Sequence, residues 1–377
     1  MNVVTIFLLA VLSFAAQTDP DSWEVLSVRP VGSYGSAFGD NYELSPDDSA
    51  IAWVVDGREL CLYARETKIT RCFHAPYEVW RLRWSPDSSA ILLIEGTRYN
   101  AALQVFDRTS EQFTLLEGDH RVDSAARWSA SGATVYFLSA GYRAVDEATP
   151  FLIAYSVHAQ TYTRTDLCGI FPPVPMNQVT LEAVSSTGDQ LFVSTQQIMP
   201  DGTAAGLWRI DLHRRTLKQI ALLRDLYPLL PPPYSDYSEV YGEITGTYWD
   251  QDDHALRVML GDGLPIRTVG IVSIDLETFR QTAVIPPADA VDFSSGWFYN
   301  SPFITDDGAL IFYFETDPKT GYSESIRAIP LDSPSSTPIT ILEGVRADCG
   351  PTYVLITALH QGEIRTYLYA FGQICVG

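Results

Sequence analysis

The stretch LRWSPDSSAILLI, residues 82–94, decides the fold. It runs apolar into Trp84, breaks at Ser85-Pro86-Asp87-Ser88-Ser89, and turns apolar again from Ala90 to Ile94. Proline presets φ and aspartate bonds nearby backbone, so Pro-Asp between two β-rich runs predicts a tight hairpin turn. The same turn returns at Ser45 (SPDDSAIAW) and Ser129 (SASGATVYF), and more weakly at Ser185, Asp250, Thr305 and Ala347. Subtracting these starting positions gives intervals of 40, 44, 56, 65, 55 and 42 residues, the spacing of a repeat array with loop insertions.

A second landmark keeps the same register. Strand–turn–strand segments follow at 60–73 (LCLYARETKITRCF), 103–116, 152–165, 207–220, 270–285 and 326–341, and a last one at 366–377 stops after one strand. Each unit therefore has four antiparallel strands, which is the blade of a β-propeller. Seven copies predict an all-β, single-domain, seven-bladed propeller over residues 17–377, with six or eight blades as the alternatives. The final unit lacks its outermost strand, and WEVLSVRPV (23–31) stands alone ahead of the first. The N-terminal strand is expected to complete the last blade and remove an open edge.

Composition agrees with this class. The 377 residues are 46% hydrophobic and 19% charged, enough to bury a core, and no long window has convincing helical periodicity. A net charge of −21, from 46 acidic and 25 basic residues, excludes the basic footprint that nucleic acid requires and disfavours anionic lipid. Such a surface repels itself, and a soluble monomer is expected. Residues 1–16 (MNVVTIFLLAVLSFAA) read as a signal peptide: an apolar run too short to span a bilayer, ending in small residues, although no Lys or Arg precedes it. The mature chain is expected in the periplasm or outside the cell, without membrane insertion.

The motif S-P-D-[DSG]-x-x-[IL]-x-[FWYL], strong at 45 and 85 and fair at 129 and 305, resembles the WD40-like Pro-Asp (PD40) repeat of TolB-type propellers, extracytoplasmic bacterial proteins. The resemblance implies a fold more than a task, with the motif shaping a hairpin. Related propellers bind partner proteins or precede a peptidase domain.

No catalytic constellation emerges. There is no Gly-x-Ser-x-Gly elbow, no His-Glu-x-x-His pair and no phosphate loop, and the six histidines are scattered. Asp250, Asp252 and Asp253 could suit calcium, but they occupy an aligned turn and lack a terminal Glu. Neither a metal nor a cofactor is expected. Paired carboxylates leave a polysaccharide lyase or glycoside hydrolase open as the alternative to a binding protein.

Loop length is the remaining signal. Second-to-third-strand loops and blade-to-blade connections share one face, and there the sequence is enlarged: 95–101, 140–150, 196–205 and 315–324, with connections at 171–175 and 225–241 (DLYPLLPPPYSDYSEVY). Long Tyr-rich loops suit recognition. Arg98, Tyr99, Tyr142, Arg143, Tyr234, Tyr237, Tyr241 and Tyr322 are the candidate binding residues, for a protein, peptide or glycan partner. Among five cysteines, a four-residue turn at 65–68 places Cys61 opposite Cys72, within reach of a disulfide. Cys349 with Cys375 is the second expected pair, leaving Cys168 free.

Overall fold

The computed structural model describes residues 23–33, 42–79, 81–97, 100–122, 126–139, 151–167, 169–170, 179–195, 205–230, 243–249, 254–261, 268–284, 303–305, 309–316, 323–331, 339–343, 345–346, 352–360, 363–371 and 375–376. They form seven blades of antiparallel strands. Blade one is β2 (Glu43–Leu44), β3 (Ala50–Val55), β4 (Glu59–Ala64) and β5 (Ile69–His74). Blade two is β6 (Arg81–Trp84), β7 (Ala90–Thr97), β8 (Asn100–Asp107) and β9 (Gln112–Val122). Blade three is β10 (Arg127–Trp128), β11 (Thr134–Ser139), β12 (Phe151–Ser156) and β13 (Thr161–Asp166). Blade four is β14 (Val179–Val184), β15 (Gln190–Thr195), β16 (Gly206–Asp211) and β17 (Thr216–Leu222). Blade five is β18 (Glu243–Trp249), β19 (Ala255–Gly261), β20 (Thr268–Asp275) and β21 (Gln281–Val284). Blade six is β22 (Phe303–Ile304), β23 (Leu310–Thr316), β24 (Ser323–Pro330) and β25 (Ile339–Glu343).

The seventh blade closes the ring, as the orphan N-terminal strand implied. β1 (Trp23–Ser33) pairs with β27 (Thr352–His360), which pairs in turn with β28 (Glu363–Phe371). β1 lies against β25 of blade six and β28 against β2 of blade one. Thr366 Oγ1 donates to Asp48 Oδ2 at 2.8 Å across that second seam. One detail departs from four strands per unit. β26 (Val345–Arg346), which the repeat would place beside β27, pairs with β29 (Cys375–Val376) instead. β1 offers β27 nine register partners, far more ladder than a two-residue strand can supply.

The motif residues explain their own spacing. Ser45 Oγ accepts from Ala50 N at 2.9 Å and donates to Asp47 Oδ1 at 2.6 Å, and the same Oδ1 takes Ser49 N and Oγ at 3.1 and 2.7 Å. Blade two repeats each bond from Ser85 and Asp87. The fourth residue of the turn has positive φ: Asp48 60°, Ser88 60°, Gly132 73° and Gly188 76°. Left-handed backbone favours Gly and Asp, which is why the motif alternates among Asp, Ser and Gly there.

Side chains of successive strand residues point to opposite faces, so the middle strands feed two interfaces at once. From blade two, Ile91, Leu93 and Phe106 pack toward blade one, while Leu92, Ile94, Leu103 and Val105 pack toward blade three. Double burial is the reason for the unbroken apolar run 90–94. The turns between third and fourth strands add a backward latch. The positive-φ residue reaches the preceding blade: Glu111 pairs with Arg71 of β5, Arg215 donates to Asp166 O, and Phe279 lies beneath Arg209 and Lys218 at 5.3 and 3.7 Å.

These turns carry a pH prediction. Partial burial would raise the Asp47 and Asp87 carboxyls, but hydrogen bonds from the flanking serines outweigh it and hold both below the ordinary value. Asp107, bonded by Ser110 N–H, and Asp189, bonded by the Thr187 hydroxyl, are also lowered. A carboxyl depressed in the folded state stabilises the fold above its unfolded pKa and loses that contribution as pH falls through the folded one. The melting temperature is therefore expected to decline below about pH 4. The double variant Asp47→Asn with Asp87→Asn should show a shallower decline, and an unchanged slope would refute these turns as its source.

Candidate functional site

The turns just described share one face. The second-to-third-strand loops and the blade connections emerge on the other, which fixes where any recognition surface can be built. Arg98, Tyr99, Tyr142, Arg143, Tyr234, Tyr237, Tyr241 and Tyr322 all lie outside the described residues, as do Asp250, Asp252 and Asp253. Their flanking strands are described, and two expectations change. Segment 95–101 is not a long loop: β7 and β8 continue outward and pair as far as Thr97 with Asn100. β9 likewise runs on to Val122, which pairs with both Ala101 and Ser139 and joins blades two and three into one sheet. Two long paired strands satisfy more backbone hydrogen bonds than an open loop would.

The second correction concerns segment 225–241, read as a surface insertion. Leu223–Leu226 forms one helical turn (α1), followed by a 3₁₀ turn at Tyr227–Leu229. Leu223, Leu226, Tyr227 and Leu230 are buried among Leu207, Ile244, Leu256, Val258 and Val272, between blades four and five. Tyr227, 1% exposed, donates to Gly261 O. A bulge at Gly261 frees that carbonyl. A Cβ at Gly270 would lie 2.3 Å from Leu230 Cδ2, so that strand keeps a glycine to admit the plug. The i, i+3, i+4, i+7 spacing of these four apolar residues was the available signal.

Around the axis, β2 lies against β6, β10 against β14 and β14 against β18. Side chains tie these innermost strands into a belt. Trp84 donates from N to Glu43 Oε2 at 3.0 Å and from Nε1 to Glu43 O at 3.1 Å. Trp128, in the equivalent position, donates from Nε1 to Arg83 O at 3.2 Å. Arg127 Nε and Thr247 Oγ1 both donate to Glu182 O, at 2.7 and 2.6 Å, where a bulge in β14 turns it toward them. Glu182, 3% exposed, also accepts from Ser194 Oγ. Arg81 and Arg83, on the same innermost strand, are exposed. The belt positions the inner wall, and its partners lie too far apart in sequence to be read there.

Cys61 and Cys72 form the expected disulfide. Cys349 and Cys168 lie outside the described residues, so the second pair does too. His158 and His213 sit in the turns between the third and fourth strands of blades three and four. Among the described residues no three His, Cys, Asp or Glu side chains converge on a possible metal position, and no helix is long and apolar enough to cross a membrane.

No protein-family model and no curated protein sequence matches the chain. Solved structures do match. An oligogalacturonate lyase in complex with manganese is 10% identical with a TM-score of 0.52, over 94% of this chain and 98% of that one. The β-propeller domain of Cps50 (Swd1) from Myceliophteria thermophila is 12% identical with a TM-score of 0.52, over 90% and 99%. TolB from Acinetobacter baumannii is 11% identical with a TM-score of 0.42, over 88% of this chain, which spans only 64% of that TolB. The likeness is one of fold.

Proposed function

We propose that the protein is an exported, non-enzymatic β-propeller, monomeric in solution, that binds a protein, peptide or glycan partner through its loop-rich face. The observation that carries this reading is the inequality of the two faces. One is closed by four-residue turns whose serines and aspartates bond their own turn and the adjoining blades. The strands bordering 140–150, 196–204 and 231–242 deliver the longer connections to the other, and functional residues concentrate in such loops on rigid scaffolds. The Cys61–Cys72 disulfide supports an oxidising compartment, consistent with residues 1–16 as a signal peptide.

Tyr234, Tyr237 and Tyr241, with the Pro run before them, are the best anchors, since aromatic residues dominate interface energies and a stiff segment loses little freedom on binding. Replacing all three by Ala should leave the melting temperature nearly unchanged and weaken partner capture by about tenfold, or about 1.4 kcal/mol. Full-strength capture by a folded triple variant would move the site elsewhere; an unfolded one would make these tyrosines packing residues.

A propeller-fold polysaccharide lyase is the second reading, supported by the full-length fold match to oligogalacturonate lyase. Manganese has no ready place among the described residues, where no ligand trio converges. Incubation with oligogalacturonate and manganese separates the readings. Ultraviolet absorbance from an unsaturated product supports the lyase; a flat trace with retained glycan or protein capture supports the binder.

A further inference from the structure

The outer hairpin of blade one holds a cluster that the loop-rich face does not use. In the β4–β5 ladder Glu59 lies opposite His74 and Cys61 opposite Cys72, with no irregularity between the pairs. Residues two apart on a strand share a face, so the two pairs are neighbours on one side of the hairpin. Glu59 Oε1 and His74 Nδ1 are 2.9 Å apart, and the cysteines beside them are bonded to each other. The next pair on that face is Tyr63 with Thr70. Arg71 belongs to the other face, where the Glu111 carboxylate holds it. From β3, Trp53 and Val55 lie opposite Cys61 and Glu59 and add no charge.

The two sulfurs are not equivalent. β5 is the last strand of its sheet, so Cys72 is exposed, whereas Cys61 is 3% exposed. The bridge spans only 11 residues of a hairpin already paired at six positions, so the blade keeps its ladder when the bridge opens. Exchange at a disulfide depends on which sulfur is accessible and on how the departing thiolate is stabilised. A histidine oriented by a carboxylate is a proton donor and acceptor suited to that second task.

We propose that Cys61–Cys72 is a thiol–disulfide exchange site, with Cys72 the sulfur attacked and His74, held by Glu59, the group that moves the proton. The thiolate of a low-molecular-weight thiol attacks Cys72 Sγ. The electron pair of the S–S bond passes to Cys61 Sγ, which takes a proton from the His74 imidazolium. The products are a mixed disulfide on Cys72 and a free Cys61 thiol. In the reverse step neutral His74 removes the Cys61 proton, and the Cys61 thiolate re-forms the bridge and expels the small thiol.

Glutathione is the probe, applied to the full chain across pH 6–8 with acid quenching and peptide mapping. The expected adduct is on Cys72, with Cys61 free. His74→Gln should slow adduct formation about tenfold or more near pH 7 and flatten its pH profile, while Glu59→Gln should slow it less. The oxidised forms of both should melt with the wild type, because these side chains are exposed. An adduct on Cys61, a His74→Gln rate within twofold of wild type, or a rate that tracks the unfolded fraction in dilute urea would each overturn the proposal.

Discussion

A chain lacking residues 17–33 is expected to lose cooperative folding, or to melt about 10 °C or more below the full chain. The reason is the position of β1 rather than its length. It pairs along the full length of β27 and lies against β25, so its removal exposes a full strand edge and one side of the cluster joining blades six and seven. Trp23 stacks on the buried His360 at 4.1 Å and an interplanar angle of 3°, and Tyr367 lies at 6.4 Å. Truncating a packed aromatic costs about 3–5 kcal/mol, and each lost backbone hydrogen bond about 1 kcal/mol. Against the roughly 5–15 kcal/mol that holds a domain together, few of these losses can be absorbed. Differential scanning calorimetry on the two chains measures it. A melt within a few degrees of the full chain would show that the ring does not depend on its N-terminal strand.

The propeller was readable because its blades repeat a chemical solution and not only a hydrophobic pattern. Ser45 and Asp47, or Ser85 and Asp87, satisfy the same turn amides, and the positive-φ position after them accepts few residues. Local constraints of that kind leave the same letters at a regular interval. Closure by residues 23–31 followed from counting strands, and the Cys61–Cys72 pair from counting residues across a turn. Apart from the buried turn at 223–230, whose apolar spacing was local, what escaped depends on neighbours remote in sequence. Glu182 meets Arg127 and Thr247, 55 and 65 residues away, and nothing local to Glu182 announces a bulged, buried carboxylate. The extension of β9 onto β11 likewise turns on Ser139 lying beside Val122 in space. Recognition residues are hardest of all, because an exposed loop has no periodic requirement to satisfy and its tyrosines look alike whether they bind or pack.

Tyr227→Ala tests that last distinction directly and is expected to be the most damaging single substitution in segment 225–241. The ring is buried between blades four and five, so its loss leaves a cavity bounded by the strands of both. A cost of about 3–5 kcal/mol follows for an aromatic of this burial. The Gly261 carbonyl, turned out of its ladder by a bulge, loses the phenol that donates to it as well. Tyr227→Phe keeps the packing and removes only the donor, so it should cost about 1 kcal/mol. The two variants therefore separate volume from hydrogen bond, and the Tyr234, Tyr237 and Tyr241 triple variant separates both from recognition. If chemical denaturation places Tyr227→Ala within 1 kcal/mol or so of wild type, the plug contributes no packing, and the whole segment returns to being a surface connection. If the large loss is found while the triple variant melts normally, residues 223–230 anchor the segment in the core and leave the tyrosines beyond it free to meet a partner.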